Sequence, residues 1–246
     1  AAAVAILDAI GRGQVQSTLS VKLTQLGLDL SLDLARLQLQ HIVEHAAALG
    51  TFIRVDMEGS DYTAVTLDLV EQLHAAGAPV GTVLQAYLHR TAADLERLLA
   101  LGVRVRLVKG AYREPPELAI QAKADVDANY ERLMYRLLDD AQKLPGQGEG
   151  AERKAAVPCG YHAIATHDER MVERAIAHAR EQHLPPDQFE FQMLYGIRRD
   201  LQQRLVGQGW RVRVYTPFGP EWYPYFMRRL AERPANVLFL LKNMVR

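Results

Sequence analysis

The sequence predicts an α/β fold, a distorted (β/α)8 barrel of the TIM type that forms a single domain over residues 1–246. Three observations favour this fold. Short β-rich runs alternate with longer amphipathic segments, which is typical of a parallel sheet with helical crossovers. Most of the short runs are largely apolar, as expected for strands that are covered on both faces. Finally, no strand is followed by the G-x-G-x-x-G loop that a doubly wound open sheet usually carries.

The predicted elements follow one another at a fairly steady interval. The strands are Thr18–Leu23, Phe52–Asp56, Gly81–Ala86, Val103–Val108, Tyr161–Ala165, Phe189–Leu194 and Val212–Tyr215. The helices between them are Leu32–Leu49, Tyr62–Ala76, Thr91–Leu101, Val126–Leu144, Glu169–Gln182 and Ile197–Val206. Seven strands are one fewer than this barrel needs. The first strand therefore lies upstream of Thr18 in an unrecognisable form or is missing from this stretch of sequence, and the Gly-rich segment 146–150 is expected to be a flexible loop.

Composition is that of an ordinary globular protein and excludes several classes. The 29 basic and 29 acidic residues balance, which argues against a dedicated nucleic-acid binder. The single cysteine, Cys159, rules out an internal disulfide framework and fits a reducing compartment. No apolar run approaches the roughly 20 residues that cross a bilayer, and the first ten residues do not resemble a signal peptide. We therefore expect a cytoplasmic protein; its oligomeric state is left open.

One helical face near the C-terminus combines two cations with a phenol and a carboxylate. Tyr225, Arg228, Arg229 and Glu232 fall at i, i+3, i+4 and i+7, which places them on one side of a helix. Adjacent guanidinium groups are costly to hold together unless an anion neutralises them, and the arginine fork matches a carboxylate bidentately. This face therefore predicts a binding site for a carboxylate.

Polar residues also recur where the predicted strands end. In a parallel barrel the loops after the strands form one mouth, where chemistry collects. The set is Lys22, Asp56, Gln85, Tyr87, Arg106, Lys109, Tyr112, Thr166, His167, Gln192 and Tyr215. A lone charge at a strand end is more often half of an ion pair, but several at equivalent ends indicate a polar, cation-rich pocket.

A separate motif, on a predicted helix, is typical of a metal site. His41-Ile-Val-Glu44-His45 matches the H-x-x-E-H pattern of inverted zinc peptidases. It lies on a crossover helix, where histidines usually face solvent, and five-residue matches arise easily by chance. A zinc hydrolase built on His41 and His45 is therefore only a minor alternative, and no metal site is predicted.

Several sequence motifs occur in a fixed order along the chain. They are Arg106-Leu-Val-Lys109-Gly110-Ala111-Tyr112, Ala165-Thr-His167-Asp168, Tyr215-Thr-Pro-Phe-Gly219 and Tyr225-x-x-Arg228-Arg229-x-x-Glu232, supported by Ser20-Val-Lys22-Leu and Gln85-Ala-Tyr87. Together they resemble the proline dehydrogenase family. The resemblance covers nearly the whole chain, and the double-Arg motif is distinctive. It implies a distorted (β/α)8 barrel that binds FAD non-covalently and oxidises L-proline to Δ1-pyrroline-5-carboxylate. It also implies hydride transfer from proline C5 to FAD N5, with the electrons passed to a quinone at the membrane.

The resemblance also implies roles for individual residues. Catalytic residues would be Lys22, Asp56, Tyr215, Arg228 and Arg229, of which Lys22 and the two arginines hold the substrate carboxylate while Asp56 pairs with Lys22. Tyr112, Leu194, Tyr215 and Tyr225 would border the proline ring. The FAD would be contacted by Gln85, Arg106, Lys109, Gly110, Ala111, Thr166, His167, Gln192, Arg229 and Glu232. Arg106 would lie near the reactive flavin nitrogen, and Glu232 would orient Arg229.

Three alternatives remain open at this point. The first is another flavin-dependent barrel that acts on a different carboxylate substrate. The second is the zinc hydrolase, and the third is a non-catalytic barrel that binds an anionic metabolite. Because the sequence shows no membrane-binding helix, any contact with the inner face of a bacterial membrane is expected to be peripheral.

Overall fold

The computed structural model of the chain describes residues 2–142 and 161–219. Strands and helices alternate along it. The helices are α1 Ala2–Gly13, α2 Leu32–Ala48, α3 Thr63–Ala75, α4 Thr91–Ala100, α5 Lys123–Ala141, α6 Glu169–Glu181 and α7 Arg199–Gly207. The strands are β1 Leu19–Val21, β2 Ile53–Val55, β3 Val80–Gln85, β4 Arg104–Val108, β5 His162–Ala165, β6 Phe189–Leu194 and β7 Val212–Tyr215. Short 3-10 turns occupy Thr24–Leu26 and Ser60–Tyr62.

The seven strands form one sheet in the order β1 to β7, and every neighbouring pair is parallel. Each strand is connected to the next through a helix. The predicted parallel α/β fold is therefore confirmed, and each predicted strand is found with ends that shift by no more than two residues.

Strand β6 shows how alternation separates the outer core from the interior of the sheet. Phe189 and Phe191 pack against Trp210, with ring centroids 5.5 and 6.1 Å apart. The residues between and after them, Glu190 and Gln192, point to the opposite face. Apolar side chains thus secure the strand to the helical layer, while polar ones are left for the concave side.

The sheet is strongly curled, because side chains from its two ends meet across the concave side. The Tyr215 hydroxyl of β7 donates to Asp56, directly after β2, at 2.8 Å. Arg106 of the central strand β4 donates to the Ser20 hydroxyl of β1 at 3.1 Å. The sequence separation of 159 residues between Asp56 and Tyr215 shows that the curvature, and not local sequence, brings them together.

Helix α1 is not among the elements that the sequence predicts. It contacts α2, where Asp8 Oδ1 lies 2.7 Å from His45 Nε2, and it buries Leu7 completely. In the described part of the chain no strand precedes β1, so the missing first strand of an eight-stranded barrel stays a prediction. None of the described helices is long and apolar enough to cross a membrane.

Some predicted features lie outside the described residues. They are the loop 146–150, Cys159, and the helical face formed by Tyr225, Arg228, Arg229 and Glu232.

Candidate functional site

A cavity opens at the carboxyl ends of the strands. As bounded by the described residues it has a volume of about 340 Å³, within the usual range of small-molecule sites. Its lining comprises Lys22, Asp56, Met57, Val83, Gln85, Arg106, Val108, Lys109, Gly110, Ala111, Tyr112, Ala165, Thr166, His167, Asp168, Gln192, Met193, Leu194 and Tyr215. The strand-end polar residues selected from the sequence are all among them except Tyr87.

Tyr87 instead supports the loop after β4. It is buried, and its ring lies so close to Gly110 that an added Cβ there would fall 2.2 Å from Tyr87 Cδ1. Gly110 also has a φ of +115°, which side chains disfavour. Only glycine therefore lets this loop approach Tyr87 and present Ala111 and Tyr112 to the cavity.

Asp56 is the centre of the charged side of the cavity. Its Oδ1 accepts from Arg106 Nη1 at 2.6 Å, and its Oδ2 accepts from the Tyr215 hydroxyl at 2.8 Å. Lys22 Nζ lies 3.7 Å from Oδ2. The pairing of Asp56 with Lys22 expected from the sequence exists, but Arg106 is the nearer cation.

The electrostatics of this group favour an ionised carboxylate. Burial would by itself raise the pKa of Asp56, but the charges of Arg106 and Lys22 and the hydrogen bond from Tyr215 oppose it. The net result is a pKa below the ordinary value for aspartate. Asp56 is therefore a fixed anion between two cations, and it orients both of them.

Arg106 is held on all three nitrogens of its guanidinium group. Besides Asp56 and Ser20, Gln192 Oε1 accepts from its Nε. Its guanidinium carbon also lies 5.3 Å from the centre of the Tyr215 ring. Among the described residues these bonds use three of the five N–H groups of the side chain, so each terminal nitrogen keeps one N–H for a ligand.

Lys109 has a different environment from the one expected of a cofactor contact alone. Its Nζ donates to Asp127 at 2.6 Å and to Asp168 at 2.9 Å. Burial would raise the pKa of both aspartates, but hydrogen bonds and charge from Lys109 bring the net pKa below the ordinary value. Asp168 also caps α6 by accepting from the Arg170 amide at 3.1 Å. Lys109 thus connects α5 and the start of α6 to the mouth of the cavity.

The remaining polar lining is oriented mainly by the backbone. His167 Nε2 accepts from the Leu194 amide at 2.9 Å, so in the neutral ring the proton is on Nδ1. Thr166 Oγ1 accepts from the Asp168 amide at 3.0 Å. Gln85 Nε2 donates to the Glu58 carbonyl at 3.0 Å. These contacts fix which polar atom each side chain offers.

Sequence reasoning missed two parts of the site. The first is the apolar lining, Met57, Val83 and Met193, which resembles any core residue in the sequence. The second is a buried charged layer beneath the cavity. Here Glu190 accepts from Arg213 Nε at 2.9 and 3.0 Å, and neither residue belongs to the site predicted from the sequence.

Arg54 belongs to the same layer. Its guanidinium donates to the carbonyl oxygens of Thr82, Arg104 and Tyr161 at 3.0 to 3.1 Å. Burial, followed by the nearby charge of Arg106, lowers the pKa of Arg54 to about 9. A charge within the apolar run Phe52–Asp56 was the signal that could have found it, because a charge is buried in a strand only when paired or bonded.

The zinc-peptidase motif lies away from the cavity, on α2. His41 is exposed, His45 contacts Asp8 of α1, and Glu44 accepts from Gln40 Nε2 at 2.8 Å. The part of the chain that the structure describes contains no group of three or more His, Cys, Asp or Glu side chains arranged for a metal ion.

The cavity fits a planar, electron-accepting ring such as the isoalloxazine of FAD. Val83, Met193 and Leu194 contribute apolar surface to the lining, which suits a flat aromatic group. Arg106 contributes a guanidinium, and a cation is what the negative charge of a reduced flavin requires.

Comparisons with known proteins agree on one family. The family model described as "Proline dehydrogenase" matches residues 2–242. "Proline dehydrogenase 2" of Bacillus subtilis is 40% identical over 233 residues, which cover 95% of this chain and 71% of the relative. "Proline dehydrogenase" of Deinococcus radiodurans is 39% identical over 246 residues, covering 98% and 74%.

Solved structures show the same fold. A crystal structure of a bifunctional proline utilization A protein superimposes with a TM-score of 0.76 at 25% identity. The match covers 94% of this chain and 25% of that protein, so the chain spans about a quarter of its length.

Proposed function

The chain belongs to the proline dehydrogenase family, and from this we propose that it oxidises L-proline to Δ1-pyrroline-5-carboxylate with non-covalently bound FAD. Electrons would pass from the flavin to a quinone. The observation that carries the proposal is the convergence of Lys22, Asp56, Arg106 and Tyr215 in one cavity. Two cations, Lys22 and Arg106, are held by the Asp56 carboxylate beside the aromatic ring of Tyr215.

The substrate carboxylate would be bound by Lys22 together with Arg228 and Arg229. Lys22 Nζ lies 3.7 Å from Asp56 Oδ2. This ion pair would restrict the Lys22 side chain before the substrate binds, and so reduce the entropic cost of binding. The two arginines lie outside the described residues, and their part rests on the helical spacing and the family motif. Such a clamp fixes one end of the amino acid by charge-assisted hydrogen bonds.

The pyrrolidine ring would lie against Tyr215, whose hydroxyl is held by Asp56 at 2.8 Å. That bond leaves the aromatic face with little freedom to turn. Tyr112 and Leu194 also line the cavity, and Tyr225 is assigned to the same site by its place on the double-Arg helix. An aromatic ring fixed in this way would orient C5 of proline. Orientation of the reacting atom raises the rate more than tighter binding alone does.

FAD would be held by Arg106, Gln85, Lys109, Gly110, Ala111, Thr166, His167 and Gln192, with Arg229 and Glu232 from outside the described residues. When bound, it would supply the acceptor for the hydride that leaves proline C5, at N5 of the ring. The chain itself positions the reactants and shapes the electrostatics. Lys22 and Arg106 disfavour protonation of the substrate amine, whose lone pair must be available.

The acceptor and the location follow from this assignment. A quinone is a membrane-dissolved molecule, so a cytoplasmic protein would reach it by peripheral contact with the inner face of the bacterial membrane. Neither nucleic acid nor a metal ion has a part in the proposed reaction.

The test is a visible absorption spectrum of the purified protein before and after L-proline is added without oxygen. Flavin bands that disappear with L-proline and return with a soluble quinone analogue are the expected result. D-proline is the matched control, because it carries the same groups with the opposite chirality. A yellow protein that L-proline leaves unchanged would favour a different carboxylate substrate, and a colourless protein that takes up no added FAD would refute the flavin.

A further inference from the structure

Beneath the cavity a chain of polar contacts connects β7 to β4 through β6. Glu190 and Gln192 are two residues apart on β6, so their side chains share one face. Arg213 donates to Glu190 at 2.9 and 3.0 Å. Gln192 Nε2 donates to Glu190 Oε1, and Gln192 Oε1 accepts from Arg106 Nε. The order of these contacts is therefore Arg213, Glu190, Gln192 and Arg106.

The donors and acceptors of this chain allow only one arrangement. An arginine only donates, so Gln192 has to turn its oxygen toward Arg106 and its nitrogen away from it. The nitrogen then needs an acceptor, and that acceptor must also receive the N–H of Arg213. An ionised carboxylate accepts on both oxygens and donates on neither. Glu190 thus supplies the acceptor that holds the Gln192 amide in the orientation that Arg106 requires.

We propose that Glu190 is a positioning residue, which sets the Gln192 amide and through it keeps the Arg106 guanidinium directed at the FAD site. Glu190 is 4% exposed and does not line the cavity, so it acts without touching the ligands. The inference rests on the proposed function, because the effect of Arg106 is exerted on the flavin.

A simpler role must be separated from this one. Glu190 is also the anion beside two cations, the partly exposed Arg213 at 2.9 Å and the buried Arg54. Its charge raises the pKa of Arg54 against the stronger effect of burial. As a counter-ion alone, Glu190 would affect stability but would not control the amide of Gln192. The two roles differ in what happens when the carboxylate is removed together with its cationic partner Arg213.

The first variant is Glu190→Gln. It keeps the size of the side chain but replaces one of the two acceptor oxygens by an NH2 group, which can only donate. Its amide nitrogen must then oppose a donor, either on Arg213 or on Gln192. We expect the apoprotein to bind FAD about tenfold more weakly and kcat/KM for proline to fall about ten- to a hundredfold, as with other residues that orient a ligand-binding side chain. The matched control is Glu96→Gln, whose two bonds of 2.8 Å to Arg136 lie on the outer helices, and it should behave like the wild type.

The second variant removes the ion pair as a whole, Glu190→Met with Arg213→Met. It leaves neither charge of the Glu190–Arg213 pair unpaired, but it still leaves the Gln192 nitrogen without its acceptor. If Glu190 positions the amide, the apoprotein of this variant should bind FAD about as weakly as Glu190→Gln. If Glu190 is only the counter-ion of Arg213, FAD affinity should stay within about threefold of the wild type, or about 0.7 kcal/mol.

The outcomes decide between the two roles. Weakened FAD binding in both variants supports positioning, and weakened binding by the double variant supports it equally if Glu190→Gln does not fold. FAD affinity within about threefold of the wild type in either variant that folds overturns it. If the wild-type protein itself is not reduced by proline while the variants differ in FAD affinity, the proposed substrate fails and the role of Glu190 stands.

Discussion

Removal of the Asp56 carboxylate tests the electrostatic centre of the site. Asp56→Ala would leave Arg106 without the acceptor at 2.6 Å and Tyr215 without the acceptor at 2.8 Å. It would also leave Arg106 and Lys22 facing the same space without their shared anion. Both the stability of the fold and the geometry of the cavity should therefore suffer.

The magnitude follows from burial. The Asp56 and Arg106 side chains are 9% and 8% exposed, and breaking a buried ion pair from one side costs about 3–5 kcal/mol. Asp33→Ala is the matched control, because Asp33 also pairs with an arginine at 2.6 Å but is 75% exposed. An exposed pair of this kind contributes about 0.2–1 kcal/mol.

The assay is urea denaturation at a fixed FAD concentration, followed by far-ultraviolet circular dichroism, at pH 7. We expect the free energy of unfolding to fall by about 3–5 kcal/mol in Asp56→Ala and by no more than about 1 kcal/mol in the control. Anaerobic reduction of the flavin by proline should be lost in Asp56→Ala only. Equal, small losses of stability in the two variants would refute the view that Asp56 is a buried anion anchoring two cations.

The same pair of proteins gives a pH dependence. The pKa of Asp56 is lowered in the folded state, so the unfolded chain takes up this proton first on acidification. The stabilisation by Asp56 is therefore complete above the unfolded value of about 4 and is lost as the pH falls through the folded value. The difference in unfolding free energy between wild type and Asp56→Ala should be constant from pH 7 to 5 and shrink below about 4; a difference that grew on acidification would contradict the assignment.

Two further substitutions test the mouth of the cavity. Gly110→Ala should reduce the amount of bound FAD and the thermal stability, because its Cβ would lie 2.2 Å from the Tyr87 ring. Gly77→Ala, also at positive φ but with nothing within 4 Å, should cost only the backbone strain, about 1 kcal/mol, and keep the flavin. Arg228→Met should raise KM for proline steeply while the visible flavin spectrum stays unchanged, and normal turnover would remove the double-Arg clamp from the mechanism.

Periodicity predicted the fold well because it is a local property. The apolar runs that became β3 and β6 and the amphipathic segment that became α6 are recognisable without knowledge of what they contact. Helix α1 escaped prediction because no strand pattern precedes its alanine-rich sequence to mark it as a crossover helix. Positions at strand ends predicted the polar lining because parallel strands deliver their ends to one mouth.

What the sequence by itself determined was the alternation of strands and helices and the set of polar groups at one end of the sheet. Only the tertiary structure decided how those groups pair. Asp56 is nearer to Arg106, at 2.6 Å, than to Lys22, at 3.7 Å, and Glu190 orients Gln192 from below. Such pairings join residues up to 159 positions apart. They depend on how far the sheet curls and on which donor finds an acceptor, and neither property is encoded in a local pattern.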